Sequence, residues 1–203
     1  MGPLIVDGVI AATACLFVWV ASLVTKDTSW VDRLWSVLPV VYIWVFAASV
    51  GLTDARRDVM AVIVTLWGAR LTFNFARKGG YVGIEDYRWA ELRRRMRPWQ
   101  FQLFNFFFIS LNQNVLLPLI ALPALTAWQH RDRAFGPLDA ALAIAFVAFT
   151  IAETIADQEQ WNFQKSKHRE IAAGREPTTR FVRSGLFRLS RHAARTEATT
   201  GRL

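Results

Sequence analysis

Ionisable side chains occur within and just after an otherwise apolar stretch, residues 59–76. Trp67, Arg70, Asn74 and Arg77 follow one another at steps of three, four and three, which places them on one helix face. Arginine keeps its charge in proteins, so a buried Arg70 needs a carboxylate or a phosphate as partner. Two interpretations remain open: a face that binds an anionic ligand, or a structural arginine–acid pair that joins two helices.

A second polar face follows the last apolar stretch of the sequence. Glu153, Asp157, Gln160 and Gln164 are separated by four, three and four residues, so they form a stripe along one helix. This stripe could accept hydrogen bonds from the hydroxyl and amide groups of a nucleotide, or it could face Arg70. The alternative is a helix that leaves the membrane with a polar face and binds no ligand.

Amide side chains are concentrated in the fourth apolar stretch, as Asn105, Asn112, Gln113 and Asn114. Amides in lipid commonly form hydrogen bonds between helices, and we expect this structural role for the group. Gln113 has a second interpretation, because its amide could reach the carbonyl group of a substrate.

The elements that must position these residues are long apolar segments. The chain has 203 residues, of which 53% are hydrophobic and 20% are charged, and its mean hydropathy is +0.23. A helix that crosses a bilayer needs about 20 predominantly apolar residues. Five segments meet this requirement, which predicts an all-α, polytopic transmembrane helix bundle and excludes a disordered chain. The spans are 4–24, 34–52, 59–76, 103–128 and 138–156.

Positive charge is concentrated in two segments. The loop 77–100 and the tail 157–203 hold seven and ten of the 24 Lys and Arg residues. Two predicted helices separate these segments, so both lie on one side of the membrane, and the positive-inside rule makes that side cytoplasmic. The N-terminus is then outside and the C-terminus cytoplasmic. Basic loops of this kind signal topology or contact anionic lipid, so we expect the lipid bilayer, and no nucleic acid, as a partner.

Motifs of soluble nucleotide-binding and hydrolytic enzymes do not occur in the sequence. It contains no GxGxxG, no GxxxxGK[ST] and no GxSxG. His130, His168 and His192 are far apart and there is a single cysteine, Cys15, so the sequence predicts no metal site. The single cysteine also excludes a disulfide framework. Trp30 and Trp35, at the start of the second span, are typical of an interfacial aromatic belt.

Several short motifs occur together in a fixed order. The chain carries SWVDRLW at 29–35, WGARL at 67–71, EDYRW at 85–89, DQEQWNF at 157–163 and GLFRLSRH at 185–192. This order resembles a bacterial membrane family of uncharacterised function that is related to steroid 5α-reductases. The resemblance covers roughly residues 28–192, and the chain is more distantly similar to isoprenylcysteine carboxyl methyltransferases.

The resemblance implies a cytoplasmic NADPH pocket in a bundle of six or seven helices, of which five are present, in the bacterial inner membrane. It implies an oxidoreductase that reduces the carbon–carbon double bond of a lipid-soluble, steroid-like enone. Trp67 stands where the reductases have a tyrosine; with Gln113 it would donate to the substrate carbonyl, but an indole cannot act as an acid. For the cofactor, the resemblance implies a phosphate clamp formed by Arg70, Lys78 and Arg88. Hydrogen-bond acceptors would be Glu153 and Asp157, and the residues at the pocket rim would be Arg191 and His192.

Two alternatives remain open for the activity: a lipid methyltransferase that uses S-adenosylmethionine, and a structural membrane protein without enzymatic activity. The end of the chain departs from the family's pattern, because residues 193–203 are rich in Ala, Thr and Arg where the family continues with further helices. We therefore expect a membrane domain over 1–192 and an aberrant tail over 193–203, from truncation or a frameshift. Loss of part of the cofactor site could leave this form inactive.

Overall fold

The computed structural model describes residues 1–81, 87–176, 182 and 185–189. Within these residues the chain is helical and forms no strand, and five helical segments are long and apolar enough to cross a membrane. The predicted all-α fold with five candidate spans is therefore confirmed. The segments are Pro3–Thr25, Trp30–Ala48, Ala55–Arg77, Pro98–Gln129 and Pro137–Ala172.

The first span is one helix, α1 (Pro3–Thr25), and the second is broken into α2 (Trp30–Trp35) and α3 (Leu38–Ala48). Pro39 lies in the first turn of α3, where its missing N–H leaves no helix hydrogen bond unmade. The third span is the 23-residue helix α4 (Ala55–Arg77). The basic loop after it contains a short helix that the sequence did not predict, α5 (Tyr87–Arg95).

The fourth span consists of four consecutive pieces. It begins as α6 (Pro98–Phe104), widens into a π-helix (Asn105–Asn112), and continues as α7 (Gln113–Ile120) and α8 (Leu122–Gln129). Pro118 lies inside α7 and Pro123 in the first turn of α8, and each removes a backbone donor from the helical pattern.

The core of the bundle is built around α3, which packs against α1, α4, α7 and α8. Tyr42, Phe46 and Ala47 of α3 are fully enclosed there with Ala61 of α4 and Leu117 of α7. A second buried cluster joins Val18 of α1, Val31 of α2 and Ile109 of the π-helix.

The chain divides into two compact units, residues 1–144 and 145–203. The fifth span, α9 (Pro137–Ala172), has 36 residues, which corresponds to about 54 Å of helix. This length exceeds a hydrocarbon core of about 30 Å, so α9 extends well past the predicted end of the span at residue 156. In the second unit, Glu159 of α9 accepts a hydrogen bond at 3.0 Å from the backbone N–H of Leu186, at the short 3-10 helix Gly185–Leu189.

Candidate functional site

The polar face predicted on the third span lies on a single continuous helix, α4. Trp67, Arg70 and Arg77 are half-buried, and Asn74 is buried. The Nε and Nη1 atoms of Arg70 and the Nε atom of Arg77 are inaccessible to solvent. Burial of guanidinium nitrogens within a membrane-spanning segment costs free energy. Such groups usually face a functional cavity or a charged partner.

Arg33 of α2, a cation outside the predicted polar face of α4, lies beside the end of that helix. Arg33 of α2 donates from Nε to the backbone carbonyl of Gly80 at 3.3 Å, and Tyr81 donates from its hydroxyl to the Arg33 carbonyl at 3.3 Å. Both hydrogen bonds connect α2 to the segment just after α4. They mark one end of the bundle, which carries Arg33, Arg77 and Lys78, with Arg70 about two turns further into α4.

The charge of Arg33 is paired with Asp27. Its Nη2 atom lies 2.6 Å from Oδ2 of Asp27, and both side chains are largely buried. Burial alone would raise the pKa of Asp27. Hydrogen bonds from the Ser29 backbone N–H and the Arg33 guanidinium outweigh it and hold that pKa below its ordinary value. Asp27 therefore stays ionised near neutral pH. Because Arg33 is paired with this carboxylate, its main role is to stabilise this end of the bundle and not to bind an added anion.

Lys78 and Arg88, the other two predicted clamp residues of the first unit, are exposed. Lys78 caps the C-terminus of α4, directly after Arg77. Arg88 lies on α5, with its guanidinium carbon 5.6 Å from the ring centroid of Trp89. The clamp residues thus differ in setting: Arg70 is half-buried on α4, whereas Lys78 and Arg88 are exposed.

Gln113 occupies a defined position in the interior of the first unit. Trp35 donates from its indole N–H to Oε1 of Gln113 at 3.0 Å, which joins α2 to α7. Because the oxygen is engaged, the amide presents its Nε2 donors in the other direction. Trp35 is half-buried and packs against the core, where its N–H donates to the Gln113 amide; its place in an interfacial belt stays a prediction.

The other predicted carbonyl donor, Trp67, lies on a different helix from Gln113. Its helix α4 packs on α3 and α8, while α7 packs on α1, α2 and α3. The two residues therefore share α3 as a neighbouring element. For Asn105 the predicted structural role is confirmed, since its Nδ2 donates to Oγ of Ser22 on α1 at 2.8 Å.

The predicted acceptors belong to the second unit. Glu153 is exposed and Asp157 half-buried on α9, where both take part in polar interactions. Arg191 and His192 lie outside the described residues, as do the start of the EDYRW motif and the tail 193–203. The joint site of these residues with Arg70 stays a prediction. Within the described part of the chain, no group of three or more His, Cys, Asp or Glu residues could hold a metal ion.

Comparison with known proteins identifies a class of membrane-associated proteins. The chain belongs to the family described as a protein of unknown function, DUF1295, whose profile matches residues 18–194. It is 37% identical over 189 residues to an uncharacterised protein of Schizosaccharomyces pombe, an alignment that covers 86% of this chain and 55% of the yeast protein. The chain thus spans about half the length of this relative. No solved structure matches the chain.

Proposed function

We propose that this chain is a membrane oxidoreductase that uses NADPH to reduce the carbon–carbon double bond of a lipid-soluble enone. The observation that carries the proposal is the inward-turned guanidinium nitrogens of Arg70 and Arg77 on a membrane-spanning helix. The proposed location is the bacterial inner membrane, with the N-terminus outside and the basic end of α4 at the cytoplasmic face.

The donor set at this end suits the phosphates of a dinucleotide. Arg70, Lys78 and Arg88 would bind the phosphate oxygens, since guanidinium and ammonium groups form short, charge-assisted hydrogen bonds to them. Glu153 and Asp157 would accept from the ribose hydroxyls and the carboxamide, and Arg191 and His192 would line the rim. NADPH, when bound, supplies a hydride to the β-carbon of the enone.

The donors proposed for the substrate carbonyl are Gln113 and Trp67. Trp35 fixes the amide of Gln113, so Nε2 can donate to a carbonyl oxygen without reorganisation. The Trp67 indole can donate in the same way. Neither group releases a proton at neutral pH, so the proton that completes the reduction at the α-carbon would come from solvent.

The experiment uses NADPH that carries deuterium at the transferable position, with the full chain in phosphatidylcholine vesicles and a long-chain α,β-unsaturated ketone. We expect deuterium at the β-carbon of the saturated product, and Gln113→Leu should reduce the rate about a hundredfold. Asn112→Leu, on the exposed side of the same span, is the matched control and should keep the rate. A methyl group transferred from S-adenosylmethionine to a lipid, with no labelled ketone, would overturn the proposal.

A further inference from the structure

A cavity of about 430 Å³ lies between α1, α3, α7 and α8, within the first unit. Its wall is almost entirely apolar, with Leu4, Phe46 and Leu119 among the lining side chains. This volume falls in the range of pockets that bind small molecules. None of the residues that line it belongs to α4, so the cavity is separate from the basic end proposed to hold the cofactor.

The first polar group in the cavity wall is a buried acid, Asp7 of α1. Only 3% of Asp7 is exposed, and its Oδ1 atom has no hydrogen-bond partner among the described residues. Tyr42 of α3 is fully buried, and its hydroxyl also lacks a hydrogen-bond partner among the described residues. Burial of a carboxyl group whose oxygen lacks a hydrogen-bond partner costs free energy. A helix with only a structural role does not need such a group.

The second polar group is Asn114 of α7, which is 2% exposed. Its Nδ2 donates to the backbone carbonyl of Ser110 at 2.8 Å, which fixes the amide and leaves Oδ1 as an acceptor without a described partner. Pro118, four residues later, has no N–H for the helix hydrogen bond to the Asn114 carbonyl. Asp7 on α1 and Asn114 on α7 therefore each provide a hydrogen-bond acceptor in the cavity wall.

We propose that this cavity binds an amphipathic molecule whose polar head donates hydrogen bonds, an alcohol or an amine on an apolar chain. The carboxyl of Asp7 and the amide oxygen of Asn114 accept from the head, and the apolar wall covers the chain. A phosphate or carboxylate head would be repelled by Asp7 when that group is ionised. An enone, which carries only an acceptor, does not satisfy these groups, so the inference goes beyond the proposed reductase activity.

The test uses the full chain in phosphatidylcholine vesicles, because the phosphatidylcholine head has no hydrogen-bond donor. A long-chain alcohol with a photoreactive diazirine is cross-linked, and the labelled peptides are located by mass spectrometry. We expect labels on α1 and α7, and displacement by dodecanol or dodecylamine at least about tenfold better than by dodecyl methyl ether. The ratio between the alcohol and the amine identifies the head group. Equal displacement by the ether would overturn the proposal.

Three variants separate binding from folding. Asp7→Leu and Asn114→Leu should each weaken labelling about tenfold while the Tm is unchanged or higher, because each removes an unsatisfied buried group. Asn112→Leu, two residues from Asn114 and exposed, should label as the wild type does. Gly8→Leu tests the cavity without touching its acceptors, since a Cβ on Gly8 meets no atom within 4 Å. It should abolish labelling, and wild-type labelling of Gly8→Leu or of both polar variants would contradict the site.

Discussion

Two kinds of charged residue shape the helices of the first unit: those held by a partner at a helix end, and those whose charged atoms are buried within the bundle. Asp54 represents the first group. Its Oδ1 atom accepts from the backbone N–H of Arg57 at 3.0 Å, and its Oδ2 atom pairs with the Arg57 guanidinium at 3.0 Å. One side chain thus caps α4 and neutralises a cation that is only 3% exposed. Such residues fix the ends of the helix that carries Arg70.

Asp54→Ala is expected to destabilise the protein. The lost cap alone costs about 1 kcal/mol, and the buried Arg57 also loses its partner, which raises the total further. Thermal unfolding in detergent should show a clearly lower Tm for this variant. Asp132→Ala, which removes an exposed acid from the turn before α9, is the control and should leave the Tm nearly unchanged. Equal Tm values for the two variants would contradict the role of Asp54.

Asp27 makes the stability of the α2 end depend on pH. Its pKa in the folded state lies below the ordinary value of 3.8, so its contribution is present above that value and is lost as the pH falls through the lowered pKa. Asp27→Asn should therefore lower the Tm at neutral pH, by the equivalent of about 1.5–3 kcal/mol for a hydrogen bond to a charged group. The difference from the wild type should shrink in acid. A difference that stays constant to strongly acidic pH would contradict this assignment.

Residue types and spacing predicted which side chains share a face, but not which partner each one takes. The three-four-three steps placed Trp67, Arg70 and Arg77 correctly on one helix. The hydrogen bond between Trp35 and Gln113 joins residues 78 positions apart, so no local pattern could indicate it.

At the scale of the elements, the close approach of α3 and α4 depends on one glycine. A Cβ added at Gly68 would lie 2.5 Å from Cγ2 of Val40 and 2.7 Å from the backbone oxygen of Ser36. The Val40 side chain could move away, but the Ser36 carbonyl is part of the backbone at the break between α2 and α3. Small residues allow membrane helices to approach closely, and Gly68 serves this purpose.

Gly68→Ala is expected to separate the two helices and to cost about 1–3 kcal/mol, measured as a lower Tm. Gly8→Ala is the matched control, because Gly8 also lies within a helix but its added Cβ meets no atom within 4 Å. That control should be neutral or stabilising by up to about 1 kcal/mol, since alanine favours helix more than glycine does. Equal destabilisation by both substitutions would contradict the packing argument.

The helical spans were predictable because a long apolar run has one stable solution in a bilayer. Their internal breaks were not. The π-helix Asn105–Asn112 contains no proline, and a local widening of this kind depends on packing against α1. The polar stripe predicted that the last helix continues as far as Gln164, but its end at Ala172 was not predicted, because hydropathy indicates where a helix leaves the apolar layer and not where its hydrogen bonding stops.

At the scale of the whole molecule, five candidate spans and the basic segments predict one arrangement across the membrane. Reporters fused after Arg95 and after Gly174 should lie on the cytoplasmic side, and a reporter fused after Arg133 on the opposite side. Alkaline phosphatase and green fluorescent protein report the two sides in bacterial cells. Reporters after Arg95 and Arg133 on the same side would contradict the arrangement, because Pro98–Gln129 would then not cross the bilayer.

The central claim is that the basic end of α4 binds the phosphates of NADPH. Equilibrium binding of NADPH to the full chain in phosphatidylcholine vesicles tests it without knowledge of the substrate. We predict saturable binding that Arg70→Gln weakens about tenfold or more, because a charge-assisted hydrogen bond to phosphate is lost. Arg131→Gln removes the same charge beyond the other end of the fourth span and should bind as the wild type does. No binding at millimolar NADPH, or equal binding by Arg70→Gln and the wild type, would contradict the claim.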